Sequence, residues 1–340
     1  MIKAIQVNNY RALRSVRCDL SRFHVLVGAN ASGKSTLFDA FLFLRDIVIL
    51  DPERAVHGDA RLRVPMRAVR ARELTWQAKG GPIEIAIEVA LPEEVKTRLA
   101  GSYDRCRYEI AIRVEPEIAI EDESLFLCPE RDATGPPQAQ IEVFPREKSA
   151  VSSPITRKKP NRWRKVLNKV GESGNDYFRS ETSGWNNLFR LGHKRSALAN
   201  LPEDTDKFPA ATWLKSYLTE GICELKLDAE KLRLPCPPGA GKSLATDGSN
   251  LPLLVHELRS NASTRKRYDQ WLDHVRTALD DLADLSVVER PEDKHQYLNL
   301  EHSTGHIAPS WVLSEGTLRL FSPTLLAYLP SPPAILLIEE

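Results

Sequence analysis

The sequence predicts a mixed α/β fold that combines a strand–loop–helix unit with an antiparallel β subdomain and a helical insertion. The strand–loop–helix unit begins with a short apolar run at residues 23–27, followed by a loop of small residues and an apolar-rich segment from Lys34 onward. Residues 161–221 contain short helical patterns interrupted by Gly, Asn and Pro. Apolar and polar side chains alternate, as in half-buried antiparallel strands, at residues 83–89, 107–114 and 141–144.

Composition excludes several classes of protein. Hydrophobic residues make up 42% and charged residues 27% of the 340 residues, which is typical of a globular protein and not of a disordered chain. The 47 Lys and Arg residues nearly balance the 46 Asp and Glu residues, so there is no overall basic field that would attract nucleic acid. The five scattered cysteines and the lack of an apolar run of about 20 residues predict a cytoplasmic protein without disulfides or a membrane span.

The stretch Gly28-Ala29-Asn30-Ala31-Ser32-Gly33-Lys34-Ser35 matches the phosphate-binding pattern GxxxxGK[ST], between a predicted strand and a predicted helix. Glycines let backbone N–H groups turn inward around phosphate oxygens, and the start of the helix adds its positive dipole end. We expect Lys34 to reach the β- and γ-phosphates, Ser35 to ligate Mg²⁺ and Thr36 to hydrogen-bond the α-phosphate. The whole stretch is therefore predicted to bind ATP with Mg²⁺.

A second part of such a site is predicted at residues 334–340. Residues 334–338 form an apolar, buried strand that leads into Glu339 and Glu340, the arrangement of a Walker B strand. We assign Glu339 to the Mg²⁺-associated acid and Glu340 to the base that activates water. Lys34 and Glu340 are thus the predicted catalytic residues.

Residues 313–316, Leu-Ser-Glu-Gly, resemble the LSxG signature of ABC-type ATPases. Ser314 and Gly316 open a predicted helix, so that Ser314, Glu315 and Gly316 present a hydroxyl, backbone N–H groups and a dipole to the γ-phosphate. In that class the signature addresses ATP held by a partner subunit. The resemblance therefore implies a homodimer that sandwiches ATP between two copies.

The order of these motifs resembles the RecF/SMC-like predicted ATPases, an AAA-type, ABC-class group that includes the overcoming-lysogenisation-defect relatives. The resemblance rests on four stretches: IQVNNYRAL, VGANASGKST, DGSNLPLLVHELR and LSEGTLRLFSPTLLAYLPSPPAILLIEE. It implies an ABC/SMC-type P-loop NTPase head. It also implies that Arg11 contacts the nucleotide and that Gln77 is the Q-loop glutamine, which touches Mg²⁺ and the attacking water.

Within such a head we expect three parts. Residues 1–128 form the N-terminal part with the P-loop and antiparallel strands, residues 129–246 a loop-rich and helical insertion, and residues 247–340 the C-terminal part with the signature and the Walker B strand. In the C-terminal part, residues 249–283 predict two helices and residues 285–302 predict strands. Family members continue beyond the Walker B glutamates, so we expect the sequence to be a fragment of a longer protein.

Three further patterns have competing interpretations. Residues 156–169, TRKKPNRWRKVLNK, gather basic side chains around Trp163, which suits contact with a phosphate backbone and equally suits a solvated helix face. Residues 235–243 end in GKS but lack the first glycine of a P-loop, which favours a Pro-rich turn. His302 and His306 flank a Ser-Thr-Gly segment, which favours a strand end over a metal site.

Two functions remain open from the sequence alone. The first is an ATPase switch that dimerises with ATP and acts on DNA or on an effector or nuclease partner, without a membrane. The second is a nucleotide-binding interaction protein that holds ATP but hydrolyses it poorly.

Overall fold

The computed structural model describes residues 1–62, 64–129, 152–171, 176–241 and 243–339. These residues form two compact units, Met1–Glu220 and Gly221–Glu340. Two of the sequence predictions, the strand at 141–144 and the base Glu340, lie outside the described residues.

In the described part of the first unit, eight strands form an antiparallel sheet in the order β2-β1-β3-β4-β5-β6-β7-β8. The strands are β1 (Ile2–Tyr10), β2 (Leu13–Asp19), β3 (Ile83–Ala90), β4 (Arg105–Arg113), β5 (Ala119–Cys128), β6 (Arg164–Val170), β7 (Tyr177–Arg179) and β8 (Asn186–Leu188). The strands predicted at 83–89 and 107–114 are therefore confirmed as β3 and β4, and the antiparallel β subdomain is confirmed with them.

The described residues of this unit form four α-helices: α1 (Lys34–Ile49), α2 (Pro52–His57), α3 (Glu93–Lys96) and α4 (Pro209–Thr219). The predicted helix from Lys34 onward is confirmed as α1. Its buried residues include Leu37, Phe41, Leu44 and Val48, which recur at the spacing of one helix face. The Phe43 ring stacks on Tyr10 of β1 with 5.2 Å between ring centroids, so α1 packs against the sheet directly beyond the loop that precedes it.

The prediction that residues 161–221 hold only short helices is wrong. Most of the segment is extended, because β6, β7 and β8 lie within it, and α4 is its one helix among the described residues. Basic residues conceal the strand pattern of β6. Lys169 is 1% exposed, and its ammonium donates to the carbonyl oxygens of Gly192 and Arg195, so a buried lysine stands at a position where an apolar residue would be expected.

The second unit contains β9 (Ile222–Leu225), α5 (Ala229–Arg233), α6 (Leu251–Ser260), α7 (Arg265–Arg276), β10 (Leu282–Glu289), β11 (Gln296–His302), β12 (Ile307–Pro309), α8 (Glu315–Leu326) and β13 (Ile335–Ile338). Strands β10, β11 and β12 form an antiparallel sheet, and β13 pairs in parallel with β9. The predicted helices at 249–283 and strands at 285–302 are confirmed. Trp271 is fully buried and donates to Thr324 Oγ1 at 3.0 Å, which joins α7 to α8.

A buried carboxylate caps α4 from outside the helix. The first turn of α4 carries no acidic side chain, and its N-cap residue, Phe208, offers no side-chain hydrogen bond. Glu181 supplies both acceptors instead, because its carboxylate accepts from the backbone N–H groups of Ala210 (2.6 Å) and Ala211 (2.9 Å). Burial raises the pKa of Glu181 to about 7, against the lowering effect of these two hydrogen bonds.

This raised pKa predicts a pH-dependent stability. Above the unfolded-state value near 4.5 the unfolded chain releases the proton that folded Glu181 retains, so the free energy of unfolding falls as pH rises from about 4.5 to about 7. We expect this loss to reach roughly 3 kcal/mol at most. Urea unfolding of the wild type and of Glu181→Gln at pH 4.5 and 7.5 measures it. The neutral variant should lack this part of the decline, and an identical decline in both proteins would contradict the assignment.

Candidate functional site

The loop at residues 28–33 has the backbone that its glycines predict. It is largely exposed and contains one turn hydrogen bond, from Ser32 N to the carbonyl of Ala29 at 3.2 Å. Gly33, the residue before α1, has φ 100° and ψ 7°, which is a left-handed conformation that glycine adopts readily. An added Cβ at Gly28 would lie 2.8 Å from Ser32 Oγ, so the first glycine packs closely against the Ser32 side chain.

The Lys34 side chain folds back over this loop. Its ammonium donates to the carbonyl oxygens of Gly28 at 2.7 Å and Ala29 at 2.9 Å. The loop therefore carries a positive charge on the carbonyl side of its own backbone, at the start of a helix whose first turn contains no acidic residue. Ser35 and Thr36 follow in that first turn, where Ser35 is exposed and Thr36 half-buried.

The predicted buried strand at residues 23–27 is absent. This segment has no regular structure, and Phe23, Val25 and Val27 are 83%, 62% and 88% exposed. A short apolar run fits a buried strand, but an isolated strand is not stable without a neighbour that satisfies its backbone groups. No described strand pairs with it, so the loop is preceded by an exposed extended segment.

A single carboxylate, Asp39 of α1, joins the helix of the loop to the first strand. It accepts a hydrogen bond from Tyr10 Oη at 2.6 Å and pairs with Arg11 at 2.7 Å and with Arg67 at 2.8 Å. Burial and the neighbouring Asp39 raise the pKa of Tyr10 well above its ordinary value, so its hydroxyl remains a donor. Arg11, the residue predicted to contact nucleotide, is thus held beside α1 while its side chain stays one-third exposed.

Arg67 ties two carboxylates of α1 together. Its side chain is 3% exposed and bridges Asp39 and Asp46, whose side chain is 1% exposed, with N···O distances of 2.8 and 2.7 Å. Burial acts to lower the pKa of Arg67, but Asp39, the Tyr10 oxygen and Asp46 together raise it above its ordinary value. Arg67 therefore remains charged inside the first unit and fixes the axis of α1.

The turn between β1 and β2 holds Arg11 in a strained backbone. Asn9 has φ 58° and Arg11 has φ 49°, both in the left-handed region that non-glycine residues seldom adopt. The Arg11 N–H donates to the carbonyl of Leu74 at 2.6 Å, and the Asn9 amide donates to the carbonyls of Gly80 and Pro82, each at 3.0 Å. The turn is thereby fastened to residues 74–82.

Those residues include Gln77, the predicted Q-loop glutamine. Gln77 is exposed, with φ 55°, and Ala78 beside it has φ 52°. The strained pair is stabilised at its start by the bond from Trp76 N to Asn9 Oδ1, at 3.0 Å. Asn9 therefore connects the segment of Arg11 to the segment of Gln77, and the ion pair with Asp39 connects Arg11 to α1. Sequence reasoning missed the connecting residues Asn9 and Asp39, although Asn-Asn at a strand end is typical of a left-handed turn.

The signature residues begin α8 in the second unit, as predicted. Ser314 is the N-cap, and its hydroxyl accepts from Thr317 N at 3.1 Å. Glu315 pairs with Arg319 at 2.7 Å across one helical turn. Both Ser314 and Gly316 are exposed, and a Cβ added at Gly316 would contact nothing within 4 Å.

The predicted Walker B strand is present as β13, but the expectation that it is buried is wrong. Only Leu337 is buried, whereas Leu336 and Ile338 are 37% and 47% exposed, because β9 is its single strand neighbour among the described residues. Glu339 follows the strand, and its N–H donates to the carbonyl of Leu225 at 3.0 Å. Its carboxylate pairs with Lys226 at 2.7 Å, and this contact raises the pKa of Lys226.

The weaker patterns are turns and strands. The described residues of the segment 235–243 contain a turn, and the backbone of Cys236 makes an isolated β-bridge with that of Gln296. These described residues form no apolar strand that leads into the GKS triplet. His302 ends β11 and pairs with Asp281 at 2.7 Å; the described residues contain no cluster of three metal-ligating side chains.

Residues 164–169 of the basic tract belong to β6, which rules out a solvated helix face there, and Lys169 is too buried to contact DNA. Across the described part of the chain, no helix has the length and apolar character needed to cross a bilayer.

Comparison with known proteins gives a family and a set of structures. Residues 23–340 match the family model AAA_21, described as AAA domain, putative AbiEii toxin, Type IV TA system. An Smc head bound to the C-winged helix domain of ScpA is 15% identical, with TM-score 0.44 over 97% of this chain and 78% of that chain.

Two further structures are similar in kind. The Smc head with an extended coiled coil bound to the C-terminal domain of ScpA, from Pyrococcus furiosus, is 13% identical, with TM-score 0.40 over 97% of this chain and 80% of that chain. A chain from work on ATP-driven dimerization and DNA-stimulated activation of SMC ATPases is 21% identical, with TM-score 0.25 over 35% of this chain and 67% of that chain. No curated protein matches the sequence.

The bridge made by Arg67 yields a stability prediction. Arg67→Met should lower the free energy of unfolding by about 3–5 kcal/mol, because it leaves buried carboxylates without their shared cation. Arg17→Met is the matched control, since Arg17 pairs with Asp19 at 3.1 Å with both side chains at least 35% exposed, and it should cost no more than about 1 kcal/mol. Urea unfolding compares the two. Equal effects would show that Arg67 does not hold α1 in place.

Proposed function

Because the chain belongs to the AAA_21 family of P-loop ATPases, we propose that it binds ATP with Mg²⁺ and works as a nucleotide-driven switch. The observation that carries the proposal is the loop at residues 28–33, which enters α1 through left-handed Gly33 with the Lys34 ammonium folded over it. A loop of this kind at a helix N-terminus suits a triphosphate, since backbone N–H groups, the helix dipole and a lysine all favour negative charge.

Binding would exchange one set of Lys34 contacts for a stronger one. Lys34 now donates to two neutral carbonyls, and phosphate oxygens are charged acceptors that form shorter and stronger hydrogen bonds with an ammonium. Ser32 supports the same role, because its hydroxyl is buried without a hydrogen-bond partner in the described structure and an entering phosphate would offer an acceptor. We assign residues 28–36 and Arg11 to nucleotide contact.

The donor set fits Mg²⁺ held jointly with the nucleotide. Mg²⁺ prefers oxygen ligands and is usually bound by one or two protein groups, phosphates and water, so the lack of a three-ligand cluster among the described residues suits it. When bound, the ion neutralises charge on the phosphates. Ser35 and Glu339 are the proposed ligands, Gln77 the proposed residue near the attacking water, and Glu340 the proposed base.

The signature suggests that two copies share each nucleotide. Glycine is a poor helix former, and packing within the second unit does not require Gly316. Close approach of another molecule explains the glycine, and the exposed Ser314 hydroxyl and helix start are suited to a γ-phosphate. We infer a homodimer with ATP between the P-loop of one copy and the signature of the other, acting on DNA or on an effector.

One observation favours the alternative of a head that holds ATP and hydrolyses it poorly. Glu339 pairs with Lys226, which also lies 3.3 Å from Glu224. Before Glu339 could serve Mg²⁺, this ion pair would have to open. Coordination of Mg²⁺ by Glu339 therefore requires its side chain to leave Lys226, whereas binding at the P-loop requires no change in the second unit.

The P-loop assignment predicts a selective loss of binding. Lys34→Ala should weaken a fluorescent ATP analogue with Mg²⁺ by roughly 10- to 100-fold, the worth of one or more charged hydrogen bonds. Lys242→Ala, which changes the lysine of the other GKS triplet, is the matched control and should bind as the wild type does. Unchanged affinity in a folded Lys34→Ala protein, or equal losses in both variants, would refute the assignment.

A further inference from the structure

A second anion-attracting site lies in the first unit and contains no residue of the P-loop. It is an open pocket of about 430 Å³, within the usual range of small-ligand sites. Among the described residues, five cationic side chains and no carboxylate line it; the cations are Lys159, Arg162, Arg164, Lys165 and Arg179. Four of them lie at residues 159–165 and the fifth, Arg179, lies in β7, which pairs with β6 in the sheet. The basic tract 156–169 therefore contains only part of the site.

Neutral oxygens, and not carboxylates, are the partners of these cations. Lys159 donates to the carbonyl of Trp163 at 2.8 Å and Arg164 to that of Ser180 at 2.5 Å, while Lys165 and Arg179 donate to the side-chain amides of Asn168 and Asn186. In the described structure none of the five forms an ion pair. The mutual repulsion of five like charges around one pocket is therefore compensated only in part, by carboxylates that are not ion-paired with them, and a bound anion would relieve it further.

The described carboxylates that act electrostatically on these cations also have other partners. Glu181, which interacts electrostatically with Arg164, caps α4. Glu109 and Asp122 act on Lys165, but Glu109 pairs with Arg107 at 2.5 Å and accepts from Thr156, and Asp122 accepts from Ser124. These acids reduce the field of the pocket without occupying it.

The segment from Thr156 to Arg164, which carries several of these cations, is held in position before any ligand binds. Thr156 anchors its start, because its N–H and hydroxyl donate to the buried Glu109 carboxylate at 2.7 and 2.6 Å. Arg164 begins β6 and so anchors its end. Between them Arg162 has φ 70°, a left-handed conformation that costs free energy for a non-glycine residue and is often found at binding sites.

Aromatic and hydroxyl groups complete the lining. Two aromatic residues, Trp163 and Tyr103, and two hydroxyl-bearing residues, Thr182 and Ser183, are among those that line the pocket. Gly101 has φ 138°, and a Cβ there would lie 2.8 Å from Tyr103 Cε2, so the glycine lets this ring lie against the backbone. Cationic and aromatic side chains in one site are the combination that binds the phosphate and the base of a single unpaired nucleotide.

We propose that this pocket binds one nucleoside phosphate, either free or as the 5′-phosphorylated end of a single strand. The phosphate would contact Arg162 and Arg179, and the base would stack on Trp163 or Tyr103. The volume suits a single nucleotide and not a duplex. The proposal does not depend on the P-loop, because the two sites share no residue.

The test uses the full chain with Lys34→Ala, which silences the P-loop. The probe is a fluorescent ten-nucleotide single strand with or without a 5′-phosphate, and AMP and inorganic pyrophosphate are the competitors. We expect the 5′-phosphorylated strand to bind, and Arg162→Ala with Arg179→Ala to weaken it at least about tenfold and to flatten its salt dependence. Arg290→Ala with Lys294→Ala, two basic residues of the second unit, is the control and should change little.

Ser183→Asp is a second variant, which keeps every cation and adds an exposed carboxylate to the lining; it should also weaken binding. Competition by AMP would identify a site for free nucleotides, and a strict need for the 5′-phosphate on a strand would identify a site for strand ends. Absence of binding by both probes would overturn the proposal. So would affinity unchanged by the double substitution and by Ser183→Asp, or competition by pyrophosphate as strong as that by AMP.

Discussion

The arrangement of the first unit depends on the three contacts of Asp39. This carboxylate, five residues beyond Lys34, receives Tyr10, Arg11 and Arg67, and so attaches α1 to the first strand and to the segment that follows α2. A partly buried carboxylate is stable only when its partners offset the loss of water, so the contacts depend on one another. The P-loop lies at the start of the same helix, and its position relative to the sheet follows from them.

Local pattern was sufficient to predict much of the fold and part of the site. The glycines of residues 28–33, the helix from Lys34, the N-cap at Ser314 and the alternating strands β3 and β4 all follow from interactions within a few residues of sequence. Family membership was predicted correctly for the same reason, because each motif is a short stretch of sequence and the order of the motifs can be read directly from the chain. The roles of individual site residues remain proposals.

Tertiary contacts account for what the sequence could not predict. Residues 23–27 are an apolar run like that of a buried strand but lack a described strand neighbour, and β6 is a strand although its lysines resemble a helix surface. Lys169 is buried because Gly192 and Arg195, more than twenty residues away, supply carbonyl oxygens. Asn9, Asp39 and Arg67 form no motif, and the cationic pocket combines Arg162 with Arg179 through strand pairing. Such partners are distant in sequence and leave no local pattern.

The central claim is that the P-loop of one copy and the signature of another form one ATP site, and complementation tests it most directly. Lys34→Ala disables the P-loop. Ser314→Asp disables the signature, because it places a negative charge next to the γ-phosphate, while aspartate still serves as the N-cap of α8. Sedimentation with ATP and Mg²⁺ should show association of the wild type, none of either variant alone, and heterodimers with one intact site in their mixture. A mixture that stays monomeric while the wild type associates, or variants that each associate alone, would contradict the claim.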